Sequence, residues 1–376
     1  MSVRDGLDFD QFKLQEVNLF VGISGSGKSK LLDSIFDAAR FAIGSEGKTL
    51  PFLPLLGSWI IEVEIVSKHY KWECERDINE EGRNIIKKER IEVTDENTNK
   101  IVLVDRTNDV FNFHSKILPK LDVSRSCIEL LQDEAEINPI FLGFTNVLRR
   151  NFSRDEISKA SAYVGVDKSY DDLFTKKTTL PKAMYSLFNL PLSIRLYYIS
   201  QHLKKEFKAI VDSFKQLFPT IEDCAIVDAN KEKLTVTPGL HTPAFMVTEK
   251  GISKKIELKN LSSGMVKVLL ILTDILTMPD GFIYELDEYE NSLGINVINF
   301  LPSLLLEHQK SKQFLISTHH PYLINKMPVS HWYVLSRDGY KVKIKYGDEL
   351  VKKYGKSSQE SFIKLINDPF YSPENK

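Results

Sequence analysis

The chain has 376 residues, enough to bury one large core or two ordinary ones. Lysine and arginine (50) nearly balance aspartate and glutamate (51), so no global basic excess marks a nucleic-acid binder, and any such contact has to be a local patch. Cys74, Cys127 and Cys224 are far apart and form no C-x-x-C pair, which argues against a zinc site or a disulfide framework. The opening "MSVRDGLDFDQF" lacks the apolar core of a signal peptide, and the longest apolar run, 266–276, is too short to span a bilayer. A soluble cytoplasmic protein is expected, with no membrane partner.

In chain order, "LQEVNLFVGISGSGKSKLLDSIFDAARFAI" predicts a short strand at 17–21, a Gly/Ser loop, then an amphipathic helix carrying Leu31, Leu32, Ile35, Phe36 and Phe41. β-rich sequence follows. "WIIEVEIV" and "YKWECE" alternate like half-buried strands, and "RIEVTDENTNKIVLV" reads as a hairpin turning at 95–99. From 126 to 218 the spacing is helical, and Pro219 ends that run. Strand-like sequence returns in "DCAIVDANKEKLTVTPGL" and "AFMVTEKGISKKIEL". The remainder alternates strand and helix through "GFIYELDE", "INVINFLPSLLLEHQ", "QFLIST" and "HWYVLS", and one or two helices are expected after 346. This order predicts an α/β fold with a mixed β-sheet lobe built from both ends of the chain and a helical lobe between them. The expected domains are 1–125 and 219–345 for the sheet lobe, 126–218 for the helical insertion, and 346–376 for a helical tail.

"GISGSGKS" at 22–29 fits G-x-x-x-x-G-K-[ST], and it lies between a predicted strand and a predicted helix. Gly22, Gly25 and Gly27 let the backbone N–H groups of the loop, with Ser24 and Ser26, turn inward around a β-phosphate. Lys28, followed by Ser29 and Lys30, then bridges β- and γ-oxygens, and the Ser29 hydroxyl ligates Mg²⁺. ATP and Mg²⁺ are the expected cofactors. "FIYELDEYENSL" supplies an apolar strand ending in Asp287, a candidate metal ligand, and Glu288, a candidate base for the attacking water. Glu285 inside that strand is unusual, because a buried strand prefers apolar residues. "KQFLISTHHPYLI" places His319 at a strand's C-terminal end, where ligands bind in open α/β sheets. "NLSSGMVKV" (260–268) has a Ser-Ser-Gly turn against an apolar helix, so Ser262 or Ser263 is an N-cap candidate. The same turn could also present its N–H groups to a phosphate.

Taken in order, the P-loop, "LSSGM", "DEYENSL" and "STHHP" resemble the ABC-type ATPase heads of the SMC, RecF and OLD-like branch. The motif resemblance covers 14–35 and 255–325. It implies that Ser262, Ser263 and Gly264 form a signature motif reaching the γ-phosphate held by a partner protomer's Lys28. It also implies that 291–293 form a loop crossing the dimer seam, that His319 senses the γ-phosphate, and that Gln132 in "LLQDEAEINP" ligates Mg²⁺ or water. Catalysis would rest on Glu288 and His319, and the metal on Ser29, Asp287 and Gln132. The departures are Ser24 for the usual Asn, Ser263 for the usual Gly, and Gly294 for the usual His. Without a coiled coil, a cysteine hook or a D-x-D cluster after His319, an SMC arm, a zinc hook and an OLD-type nuclease are not expected. The resemblance thus implies an ATP-hydrolysing homodimer or larger homo-oligomer controlling a separate effector, a nuclease or toxin, in antiviral defence of the PARIS or retron-associated type. A RecF-like DNA-binding ATPase is the alternative, with "NVLRRNFSRDE" and "HLKKEFK" as candidate basic patches for nucleic acid.

Overall fold

The computed structural model describes residues 2–3, 6–45, 56–65, 67–94, 99–162, 165–166, 168–174, 179–232, 234, 241–288, 290 and 293–371. The strands are β1 (Ser2–Val3), β2 (Asp8–Phe9), β3 (Val17–Val21), β4 (Gly57–Ile65), β5 (Lys68–Ile78), β6 (Asn84–Thr94), β7 (Lys100–Thr107), β8 (Phe111–Phe113) and β9 (Lys116–Leu118). After them come β10 (Val147–Arg150), β11 (Ile221–Asp228), β12 (Pro243–Glu249), β13 (Ile256–Glu257), β14 (Ile283–Leu286), β15 (Gln313–Thr318), β16 (Trp332–Asp338) and β17 (Lys341–Tyr346). The helices are α1 (Lys28–Ala42), α2 (Cys127–Leu130), α3 (Asn138–Thr145), α4 (Arg154–Ala160), α5 (Leu180–Leu187) and α6 (Leu192–His202). They continue with α7 (Lys204–Leu217), α8 (Ser263–Thr277), α9 (Ile295–His308), α10 (Pro321–Lys326), α11 (Gly347–Tyr354) and α12 (Ser358–Ile366).

Among the described residues one sheet has the order β10-β14-β15-β3-β16-β17-β2-β1-β4-β5-β6-β7-β8-β9, and a second has the order β11-β12-β13. The large sheet is mixed. β16 runs parallel to β3, pairing Trp332 with Leu19 and Val334 with Val21, while β4 to β9 form an antiparallel meander. Both ends of the chain therefore build it, as the element order predicts.

The chain divides into two compact units. The first comprises Met1–Arg149, Ile283–Glu285 and Leu315–Lys376. Its core holds α1 through its last turn. Phe41 meets Trp59 edge-on at 6.0 Å, Trp59 meets Trp72 at 5.6 Å, and Trp72 meets Phe144 of α3 at 5.3 Å. The fully buried Glu89 accepts from Trp72 Nε1 (3.0 Å), Ser126 Oγ (2.6 Å) and the Cys127 amide (2.9 Å), which ties the meander to the start of α2. The Asp95–Asn99 turn of the expected hairpin falls largely outside the described residues, but its flanks pair as anticipated, Thr94 opposite Lys100.

The second unit comprises Arg150–Phe282 and Leu286–Phe314. It contains α4 to α9 and the three-stranded sheet. α8 is buried on nearly all sides from Val266 to Ile275, as a helix apolar all round must be. One element departs from the sequence reading. The 126–218 stretch is not uniformly helical, because Val147–Arg150 forms β10 at one end of the large sheet, an arrangement that non-local pairing decides over local spacing. The tail after 346 holds two helices, α11 and α12, in line with the one or two expected there. No helix among the described residues is long and apolar enough to cross a membrane.

Candidate functional site

The 22–29 loop lies between β3 and α1, where the C-terminal end of a strand meets the N-terminus of a helix. Gly25 (φ 80°) and Gly27 (φ 101°) take left-handed backbone conformations that side chains oppose. At Gly22 the constraint is space. A Cβ there would stand 2.5 Å from Ser26 Oγ and 2.8 Å from the Leu335 carbonyl oxygen. Lys28 is buried, and its Nζ donates to the carbonyls of Gly22 (2.8 Å) and Ile23 (3.1 Å), so the ammonium is folded against its own loop. Ser24 and Gly25 are exposed at the tip, Ser29 is half-buried and Lys30 is exposed. Gly27 serves as N-cap without a side-chain hydrogen bond to the helix.

The other expected site residues are placed as follows. His319 is exposed just after β15, while the next residue, His320, is the N-cap residue of α10 and donates its amide to Thr318 Oγ1 at 3.0 Å. Gln132 lies half-buried in the turn after α2, and its carbonyl accepts from Asn138 Nδ2 at 2.9 Å. These belong to the first unit. In the second unit Asp287 and Glu288 follow β14, both half-buried. The Asp287 amide donates to the Arg150 carbonyl at 3.3 Å, and Glu288 has φ 43°, a left-handed conformation costing about 1–3 kcal/mol for a residue with a side chain. In the expected seam loop, Asn291 and Ser292 lie outside the described residues.

Ser262 is the N-cap of α8, accepting from the Met265 amide at 3.2 Å, with Ser263 and Gly264 opening the helix. Ser262 and Ser263 are exposed. One turn further on, Lys267 is buried, its Nζ 4.4 Å from the centre of the Phe152 ring. Burial lowers its pKa to about 8, against the opposing pull of Glu290, Glu156 and Glu288. At the other end of the helix Asp274 is gripped by Arg150 Nε (2.9 Å) and by Arg195, while Arg150 also reaches Glu156 (2.9 Å) and the Phe188 carbonyl (2.9 Å).

This network corrects one expectation. The arginine pair of "NVLRRNFSRDE" is not a solvent-facing basic patch. Arg149 bonds Asp33 at 2.6 Å and lies 4.0 Å from the fully buried Glu285, and Arg150 is committed to Asp274 and Glu156. Glu285, puzzling within a strand, is there opposite a cation. Of "HLKKEFK", Lys208 pairs with Asp212 on the same helix, and Lys204 and Lys205 are solvated. Sequence reading missed Arg150, Arg195, Asp274 and Lys267. The only available signal was a charge inside an apolar helix, at positions 267 and 274.

Ser29 in the first unit offers a hydroxyl oxygen and Asp287 in the second a carboxylate, both hard donors of the kind Mg²⁺ takes. Among the described residues no group of three or more His, Cys, Asp or Glu is placed to hold a metal ion.

Among solved structures the chain is similar to an SMC head bound to the C-terminal winged-helix domain of ScpA, with 12% identity, 89% of this chain and 91% of that one covered, and a TM-score of 0.48. It is also similar to the SMC head domain from Thermotoga maritima (13% identity, 89% and 92% covered, TM-score 0.38). A third is the Pyrococcus furiosus Smc head with an extended coiled coil bound to the C-terminal domain of ScpA (12% identity, 95% and 95% covered, TM-score 0.42). No curated protein matches the sequence. A family profile matches residues 124–325, just over half of the chain, taking in the α8 turn, the acidic turn and His319, with the P-loop lying before it. The chain belongs to that family, described as "AAA domain, putative AbiEii toxin, Type IV TA system".

Proposed function

We propose that this chain is a Mg²⁺-dependent ATPase of the ABC type that closes as a dimer or larger homo-oligomer on ATP and thereby controls a separate effector. The observation that carries the reading is the P-loop, with two left-handed glycines and Lys28 folded over the loop carbonyls at the start of α1. The loop amides and Lys28 would hold the β- and γ-phosphates, and His319 would donate to a γ-oxygen. Glu288 would take a proton from a water whose oxygen bonds to the γ-phosphorus as the bond to the bridging oxygen breaks, releasing ADP and phosphate. Ser29 and Asp287 would hold Mg²⁺, which would supply charge neutralisation for the phosphates, and Gln132 would orient water. The Ser262–Gly264 turn supports a shared site, because it is capped by Ser262 yet has Ser262 and Ser263 exposed at the surface. The family description points to a toxin–antitoxin setting, which supports a toxin or nuclease effector and a role in antiviral defence.

Glu288→Gln tests the reading. ATP binding should persist, while turnover falls by about 10²–10⁴-fold. ATP should also shift the variant to a larger size on gel filtration, and the effector should co-purify with it. Turnover equal to wild type would move the base elsewhere.

A further inference from the structure

A cavity of about 360 Å³ lies beside the P-loop, lined by residues 23–26 on one side and by Ser336, Arg337 and Gly339 on the other. It exists because β16 runs parallel to β3, so both strands present their C-terminal ends to the same edge, the usual ligand edge of an α/β sheet. Ser26 lines it but is sealed, with only 2% exposure, so two other residues supply the surface it offers. Ile23 is 40% exposed and offers an apolar surface. Arg337 is exposed, has no carboxylate within ion-pair distance among the described residues, and its Nε is fixed on the Gly339 carbonyl at 2.7 Å. The turn carrying Gly339 is itself anchored, since the Asp8 amide donates to the Tyr340 carbonyl at 2.8 Å.

We propose that this cavity receives the nucleoside of the nucleotide whose phosphates the P-loop holds, with the base between Ile23 and the guanidinium plane of Arg337. β3 is flanked by β15, which leads to His319, on one side and by β16 on the other. With the γ-phosphate end toward His319, the opposite end of the triphosphate leaves toward β16. A guanidinium stacks on any base and donates hydrogen bonds to acceptors on its edge, while an apolar side chain covers the other face.

This inference rests on the P-loop reading, and calorimetric titration of the full chain separates the two. The ligands are Mg-ATP and Mg-tripolyphosphate, which has the phosphates without the nucleoside. Arg337→Ala should weaken ATP about ten-fold and leave tripolyphosphate unchanged. Arg337→Lys, which keeps the charge and loses the plane, should resemble Arg337→Ala, and Lys28→Ala should lose both ligands. Equal loss of both ligands in Arg337→Ala, full recovery in Arg337→Lys, or no loss at all overturns the nucleoside pocket while leaving the P-loop standing. ATP binding indifferent to Lys28→Ala overturns the P-loop reading, and the pocket with it.

Discussion

Two helices in this protein begin at a Gly/Ser turn, and they treat their N-termini in opposite ways. α1 starts at Lys28 after a left-handed Gly27, and no side chain caps it. α8 starts after Ser262, whose Oγ occupies the Met265 amide. An uncapped N-terminus keeps its donors and its positive dipole end for an anion, whereas a capped one is already satisfied and gains rigidity. The same contrast runs through their lysines. Lys28 is buried against two carbonyls that a phosphate can compete with. Lys267 is buried against a phenyl ring, where its charge is costly. The first turn is built to take a ligand, and the second to hold a serine still.

Breaking the first turn should have the largest effect. Gly22→Ala drives a methyl into Ser26 and the Leu335 carbonyl, and a backbone oxygen cannot step aside. Loss of nucleotide affinity of on the order of 10²-fold is expected by titration, with a stability loss of about 1–3 kcal/mol in denaturant. At the second turn, capping and phosphate contact can be separated. Ser262→Asp keeps an N-cap acceptor but faces phosphate with a charge, so urea stability should hold within about 0.5 kcal/mol while turnover collapses. Ser262→Ala should lose about 1 kcal/mol through the cap alone. Unaltered turnover in Ser262→Asp would reduce this turn to a cap.

The smallest effect is a pH slope. Lys267 titrates near 8 in the fold and near the ordinary lysine value in the unfolded chain. Between these values the unfolded chain binds more protons, so the fold gains stability as pH rises above about 8, by about 1 kcal/mol per unit, and gains nothing from this group below 8. Comparing urea midpoints of wild type and Lys267→Met from pH 7 to 10 isolates the term. A difference that stays constant with pH would mean that the amine is better solvated than its burial suggests.

Much of the architecture was legible in the chain. The strand at 17–21, the P-loop, the helix after it and a serine cap at Ser262 or Ser263 all follow from local spacing and residue chemistry, and the structure has each of them, with Ser262 as the cap. β10 was not legible, since "VLRR" has no strand signature and becomes a strand only because β14 lies beside it. The arginine pair shows the same limit. A charge run looks solvated unless the carboxylates that meet it are known, and Asp274 is 124 residues from Arg150.

The sequence by itself therefore determined the P-loop, its flanking strand and helix, and the chemistry of the oxygens and amines there, because all of these depend on neighbours within a few residues. Only the tertiary structure decided that Glu285 is buried opposite Arg149, that Asp274 is gripped by two arginines, and that Arg337 stands across a cavity from Ser26. Each of those is a contact between residues distant in the chain, brought together by burial and sheet pairing rather than by any local propensity.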